Sequence, residues 1–205
     1  MLSKHFTTKE NAEVFVWKMT ESEAELFDFL QLDDSETAAY EAIKTAKRKR
    51  EYLGLRAALK TAFGRKVPLA YHSDGKPFLT DEIAQISVSH SGNLLALMTH
   101  PHAKVGIDIE CPSDKIERLA PRFLGKDEQE TLSGKQKFRI AWSAKEALYK
   151  IIGKGAVDFA AQLRLLPFDI SDENGEFRIE HISLKTIYIG RYLLMEDYTL
   201  VYITV

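Results

Sequence analysis

Two carboxylates stand in an otherwise apolar, strand-like run at positions 104–110, where Asp108 and Glu110 are separated by Ile109. Because alternate side chains of a strand point to opposite faces, the two carboxylates share one face of the predicted strand. Residues two apart on a strand lie roughly 6.5 Å apart at Cα, so both carboxylates could contact one hard cation. An edge strand with a solvated, acidic outer face would show the same pattern. This segment alone leaves both interpretations open.

A second segment, at positions 142–150, has the spacing of a helix that ends at Gly153. Glu146 lies off the apolar stripe of this helix, one turn from Trp142 and one turn from Lys150. One interpretation is a surface ion pair between Glu146 and Lys150, worth about 0.2–0.5 kcal/mol. The other is a third carboxylate for the cation and a lysine that faces phosphate. The helix by itself favours the surface pair.

The two segments together resemble the signature of the 4′-phosphopantetheinyl transferase superfamily, G-[IVL]-D-[IVLA]-E followed by W-x-x-K-E-[AS]-x-x-K. Both halves match without a substitution and in the same order, and the ordered pair is specific although each half alone is weak. Further positions agree with the larger, surfactin-synthetase type of this family: Gly75-Lys76-Pro77, Ser87-Val88-Ser89-His90-Ser91-Gly92, Arg122-Phe123 and Gly153-Lys154-Gly155. The resemblance covers about residues 47 to 155, and the rest of the chain agrees only in its pattern of elements.

The resemblance implies transfer of 4′-phosphopantetheine from coenzyme A to a serine of an apo acyl or peptidyl carrier protein, with release of 3′,5′-ADP. It implies that Asp108, Glu110 and Glu146 hold Mg²⁺ on the diphosphate of coenzyme A, since this cation keeps several waters and takes few protein ligands. The serine hydroxyl attacks the β-phosphate, Glu146 takes its proton, and Lys150 stabilises the charge on the leaving phosphate. Whether Glu146 is ligand, base or both stays open. Members of this type act as monomers.

A basic residue is also predicted on the apolar face of a long helix. In this predicted helix, Arg50 shares a face with Ile43, Ala46, Leu53 and Ala57. A buried guanidinium needs a partner, and a long stem that reaches solvent at the rim is the alternative. The matching family position binds the 3′-phosphate of coenzyme A, and the resemblance favours that role for Arg50.

Three more residues are candidates for contacts with the phosphates of coenzyme A. Ser89 and His90 lie at the mouth of a predicted hairpin, where the resemblance implies phosphate binding, although a lone histidine in a strand is more often a satisfied core residue. Lys76 lies in a turn-forming stretch, where an exposed loop lysine is the plain interpretation. The resemblance implies that Lys76 meets the substrate's phosphates.

Composition excludes some classes of protein. A net charge of -2 and a pI near 6.3 argue against a nucleic-acid binder. The single cysteine, Cys111, excludes an internal disulfide and fits a reducing compartment. No apolar run approaches the length of a membrane span. The sequence therefore predicts a soluble, cytoplasmic protein without a membrane partner.

The order of elements predicts an α+β fold made of two similar passes, each a long helix packed on a small antiparallel sheet. The first half, 1–103, has a capping box at Thr20 and Glu23, a helix over about 36–63 that ends at Gly64, and a hairpin of strands at about 83–88 and 94–99. The second half, 104–205, has the acidic strand, short helices near 116–123 and from 126, the helix of Trp142, and strands near 177–182, 186–189, 192–195 and 198–205. The resemblance implies that a pseudo-twofold relates the halves, with the active site in the cleft between them.

Two other functions fit the same residues. A Mg²⁺-dependent diphosphate hydrolase acting on coenzyme A or nucleotides would use the three carboxylates with water as the nucleophile. A non-catalytic module would bind coenzyme A or a carrier protein, but every expected motif residue is present, which disfavours it. Apolar and basic residues around Arg122, Phe123 and Lys126 are candidates for contact with the carrier protein, whose recognition helix is typically acidic in such systems.

Overall fold

The computed structural model of the chain describes residues 1–153 and 157–205 and divides into two units, Met1–Pro101 and His102–Val205. Each unit contains an antiparallel sheet with helices packed on it. The predicted α+β fold class is therefore confirmed. Within the described residues, no helix is both long enough and apolar enough to cross a membrane.

The N-terminal unit is built on a four-stranded antiparallel sheet with the order β1-β2-β6-β5. A separate two-stranded hairpin, β3–β4, follows its longest helix. The elements in chain order are β1 (Leu2–Thr7), β2 (Glu13–Lys18), α1 (Glu23–Leu30), α2 (Asp34–Glu41), α3 (Ala46–Phe63), β3 (Leu69–Tyr71), β4 (Pro77–Leu79), β5 (Gln85–Ser91) and β6 (Leu94–His100). The helix α3 packs on β2 and β6, where its leucines join the core of the unit.

The helix predicted over about 36–63 is wrong as a single element. It divides into α2 and α3, because the Thr45 side chain accepts a hydrogen bond from the backbone N–H of Arg48 and begins a new helix. The capping box is formed by Ser22 and Glu25, two residues after the predicted pair Thr20 and Glu23. The segment contains the Ser/Thr-x-x-Glu spacing twice, and the second copy caps α1. The predicted stop at Gly64 is confirmed, with a left-handed φ of 66°.

The C-terminal unit is built on a five-stranded antiparallel sheet with the order β7-β11-β10-β9-β8. Its elements in chain order are β7 (Val105–Glu110), α4 (Asp114–Phe123), α5 (Lys126–Thr131), α6 (Lys135–Ile152), α7 (Phe159–Gln162), β8 (Leu163–Leu165), β9 (Asn174–His181), β10 (Thr186–Leu194) and β11 (Thr199–Thr204). The helix α6 packs on β7, β11 and β8 and ends at Gly153, as predicted.

The contact between α6 and β7 requires a glycine. A Cβ atom at Gly106 would lie 2.1 Å from the carbonyl oxygen of Ala147, so only a residue without a side chain allows the helix this close to the strand. Gly106, Asp108 and Glu110 share one face of β7 by strand alternation. The contact therefore turns the acidic face of β7 toward α6.

We expect Gly106→Ala to destabilise the protein by about 1–3 kcal/mol, because the added methyl group must push the α6 backbone away from the strand. Urea unfolding measures this loss. Gly54→Ala is the matched control, since its Cβ would lie 2.8 Å from the sulfur of Met19, a flexible side chain that can move. Equal losses of stability in the two variants would contradict the role given to Gly106.

Candidate active site

Asp108 is held between β7 and α6. Its side chain is buried, and its Oδ1 accepts a hydrogen bond from Lys150 Nζ at 3.0 Å. The same ammonium donates to the carbonyl oxygen of Ile107 at 2.7 Å. Although β7 is an edge strand of its sheet, Asp108 does not lie on a solvated outer face. The acidic-surface interpretation of this residue is therefore wrong, because α6 covers that face.

Glu110 is held by the same helix about two turns nearer its N-terminus. Trp142 Nε1 donates to Glu110 Oε1 at 3.1 Å. The indole packs against two rings of its own unit, Phe123 at 5.1 Å and Phe159 at 5.9 Å between centroids. The Glu110 carboxylate is thus hydrogen-bonded to an indole that is itself packed between two aromatic rings.

Glu146 belongs to the same group of charges. Burial raises the pKa of Glu146, and the negative charges of Asp108 and Glu110 raise it further, while the ammonium of Lys150 acts in the opposite direction. The four residues that the sequence predicted for the chemistry, Asp108, Glu110, Glu146 and Lys150, therefore meet within the C-terminal unit.

The three carboxylates of this group could act as ligands for a hard cation that is shared with a substrate. Mg²⁺ prefers oxygen ligands, and it usually takes one or two carboxylates together with waters and phosphate oxygens. No three His, Cys, Asp or Glu side chains in the described parts of the chain form a group that could hold a metal alone. Asp108, Glu110 and Glu146 are therefore not a preformed three-ligand metal site, and a Mg²⁺ bound here would need oxygens of a substrate among its ligands.

A buried ion pair lies beside this group, and sequence reasoning missed it. Lys145 Nζ and Glu128 Oε2 are 2.6 Å apart, and their side chains are 0% and 2% exposed. Burial lowers the pKa of Lys145, and the charge of Glu128 opposes this shift. The signal was present in the sequence, because Lys145 lies in phase with Ala141 and Leu148 on the apolar stripe of α6.

The N-terminal unit contains a separate cavity of about 460 Å³. Its lining includes Arg48, Glu51, Tyr52, Tyr71, Gly75 and His90. Arg48 Nη1 donates to Glu51 Oε2 at 2.9 Å, so the arginine at the cavity is already oriented by a carboxylate. Of the predicted coenzyme A contacts, His90 lines the cavity directly.

Lys76, Ser89 and Arg50 are placed differently. Lys76 lies in the β3–β4 turn, between two residues that line the cavity. Ser89 is buried and, by strand alternation, points to the face of β5 opposite His90. Arg50 is exposed: it lies in phase with the buried Leu53 and Ala57 of α3 but ahead of the packed part of the helix, so its guanidinium is not buried and reaches solvent at the rim. Ala46, which the phase argument placed on the same face, is exposed too, because the start of α3 extends beyond the core of the unit.

The predicted carrier-contact residues differ in exposure. Phe123, a candidate for carrier contact, is buried and packs on Trp142, so it is not available to a partner, whereas Arg122 and Lys126 are exposed. Lys154 and Gly155, which the resemblance singled out after α6, lie outside the described residues.

The acidic strand β7 is covered by a helix that brings a third carboxylate and a lysine onto it, an arrangement that suits chemistry at phosphate. Comparison with protein families agrees with this class. Residues 104–201 match the family model of the 4′-phosphopantetheinyl transferase superfamily, and this segment contains all four of these residues. The match indicates phosphopantetheine transfer as the general activity of this domain. A search of curated proteins found no match to the chain.

We expect Glu146→Gln to stabilise the fold at neutral and alkaline pH. The pKa of Glu146 is raised in the folded state, so ionisation of this carboxyl favours the unfolded state as the pH rises above its usual value of 4.5. Below that value both states hold the proton and the penalty disappears. Thermal unfolding between about pH 4 and pH 8 should show a Tm difference from wild type that grows with pH. The exposed Glu130→Gln serves as control, and a pH-independent difference for Glu146→Gln would contradict the expectation.

Proposed function

We propose that the protein transfers 4′-phosphopantetheine from coenzyme A to a serine of an apo acyl or peptidyl carrier protein, releasing 3′,5′-ADP, and that it acts as a monomer of the surfactin-synthetase type. The observation that carries the proposal is the meeting of Asp108, Glu110, Glu146 and Lys150 at the contact of β7 and α6. This contact lies inside the segment that matches the superfamily.

The carboxylates would hold Mg²⁺. Asp108 and Glu110 would bind it, with Glu146 as a third ligand or as the base, and the bound cation would neutralise non-bridging oxygens of the diphosphate. Asp108 and Glu110 are both restrained by α6, through Lys150 and Trp142. The protein therefore does not have to reorganise these two side chains when the substrate binds.

Glu146 is the best candidate to take the proton of the attacking serine. A general base works best when its pKa lies near the operating pH, and burial together with two neighbouring carboxylates moves the pKa of Glu146 in that direction. Lys150 would stabilise the charge that develops on the leaving phosphate. Its contact with the Ile107 carbonyl oxygen fixes the ammonium beside the carboxylates.

The N-terminal unit would bind phosphates of coenzyme A through Arg50, Lys76, Ser89 and His90. The charge distribution of α3 supports this role. Its first turn carries Lys47, Arg48 and Lys49 and no acidic residue, and Arg50 follows directly, although cations are unfavourable at the positive end of a helix. An anionic ligand at this end of α3 would relieve that repulsion.

Intact-mass measurement of an apo carrier protein, incubated with this protein, coenzyme A and Mg²⁺, tests the proposal. We expect the carrier to gain one phosphopantetheine, and the gain to disappear with EDTA. Glu146→Gln should slow the transfer by roughly 10²–10⁴-fold, the usual contribution of a general base. Lys137→Gln, on another face of α6, is the control and should transfer normally.

Other outcomes of this measurement point to the rival functions. Cleavage of coenzyme A without any change in the carrier would replace the transferase with a hydrolase. If coenzyme A and several types of carrier all remain intact, the protein is a binding module.

A second experiment tests the 3′-phosphate role of Arg50. Loss of a charge-assisted hydrogen bond costs about 1.5–3 kcal/mol, so Arg50→Ala should raise the KM for coenzyme A by roughly 10- to 100-fold. The KM for 3′-dephospho-coenzyme A should stay near that of wild type. Arg65→Ala, beyond the end of α3, controls for a general loss of positive charge. An equal rise for both substrates would refute the assignment.

A further inference from the structure

We propose that Lys145 is a positioning residue: together with Glu128 it fixes the aromatic cluster of Phe123, Trp142 and Phe159, and through Trp142 it orients the Glu110 carboxylate. The consequence for turnover rests on the proposed function. The structural link from Lys145 to Glu110 does not, and it can be measured by itself.

The ammonium of Lys145 has its full set of acceptors inside the protein. It donates to Glu128 Oε2 at 2.6 Å, to the carbonyl oxygen of Phe123 at 2.7 Å and to that of Phe159 at 3.0 Å. A lysine ammonium has three donors, so each of them is used. Lys145 therefore connects α6 to the last residue of α4 and to the first residue of α7.

Glu128 extends the connection to two more elements. Its Oε2 accepts from the backbone N–H of Gly125 at 2.7 Å, and its Oε1 accepts from that of Leu165 at 2.8 Å. A buried carboxylate is costly unless it is paired and hydrogen-bonded in this way. The pair thus holds the start of α5 and the strand β8 in place around α6.

The two residues whose carbonyl groups Lys145 holds are the two whose rings contact Trp142. The Phe123 ring meets the indole edge to face, at an interplanar angle of 69°, and the Phe159 ring is tilted by 56°. Lys145 lies one turn after Trp142 on the same helix. One ammonium therefore sets the backbone positions of both rings that enclose the indole.

The indole in turn holds Glu110. Its Nε1 is a donor only, and it donates to Glu110 Oε1 at 3.1 Å. If either ring moves, the indole can rotate and the carboxylate loses this contact. A well-packed apolar pair is often as stable as a buried ion pair, so stability alone gives no reason for a charged pair here. The fixed geometry that the pair imposes on four segments gives one.

The test follows the indole N–H groups by ¹H–¹⁵N NMR. The chain has two tryptophans, and Trp17 is an internal reference because its Nε1 donates to Glu21 in the N-terminal unit. In Lys145→Met we expect the Trp142 resonance to move toward the position of an unbonded indole while that of Trp17 stays in place. Phe159→Leu should also move the Trp142 resonance, which checks the step from ring to indole. If Lys145→Met does not fold, Glu128→Gln, which removes the charged partner of Lys145, should move the Trp142 resonance in the same direction as expected for Lys145→Met. Lys137→Gln, whose ion pair with Asp169 does not involve the aromatic cluster, should move neither.

Kinetics separate positioning from folding. In carrier modification by Phe159→Leu and by folded Lys145→Met, kcat should fall by roughly 10- to 100-fold while the KM for the carrier stays unchanged, because displacement of a positioned group by about 1 Å has this effect. A Trp142 resonance that stays in place in these folded variants would overturn the proposal. So would a loss of activity that only follows the folded fraction. If the resonance moves but even wild type modifies no carrier, the link from Lys145 to Glu110 stands and the proposed transferase function fails.

Discussion

The absence of a side chain at Gly106 allows α6 to lie against β7, and the geometry of the candidate active site depends on this approach. The strand brings Asp108 and Glu110, and the helix brings Trp142, Glu146 and Lys150. With a larger residue at position 106, the backbone of α6 at Ala147 would have to move away from the strand. The glycine of the acidic motif therefore acts on the chemistry through backbone packing rather than through contact with a ligand.

Two lysines of the same helix show how environment separates structural from chemical roles. Lys145 is fully buried, and its three donors end on protein acceptors, so it has no capacity left for a substrate. Lys150 is partly exposed and lies beside a carboxylate that a cation would also contact. The carboxylates show the same contrast, since Glu128 accepts hydrogen bonds from two backbone N–H groups and from Lys145, whereas Glu146 lies near two like charges. On one side of α6, the charge of Lys145 is fully paired inside the protein. On the other side, Glu146 lies near two further carboxylates, and this concentration of charge lowers the stability of the fold.

The sequence predicted the elements that carry the chemistry better than the rest of the fold. The hairpin of β5 and β6, the acidic strand and the helix that ends at Gly153 follow from strong periodicity and a glycine stop. The strand β1 and the short strands β3, β4 and β8 were not predicted, because brief or half-exposed strands carry a weak pattern. The strand β2 was also missed, although it is a buried apolar run. The break before Ala46 has neither glycine nor proline, so only the Thr45 cap marks it. Arg50 keeps the helical phase of Leu53 and Ala57, but periodicity alone does not show that the packed part of α3 begins after it. Lys145 could be suspected from its phase, but its partner lies 17 residues away and becomes visible only in three dimensions.

The division of the chain into two units has a consequence for how such a protein can change. Asp108, Glu110, Glu146 and Lys150 all belong to the C-terminal unit, whereas the cavity beside the basic end of α3 belongs to the N-terminal unit. Under the proposed function, the preference for one nucleotide group over another and the rate of the chemical step are encoded in different stretches of sequence. Substitutions in the N-terminal unit can therefore change the preference for a nucleotide group without changing the rate of the chemical step.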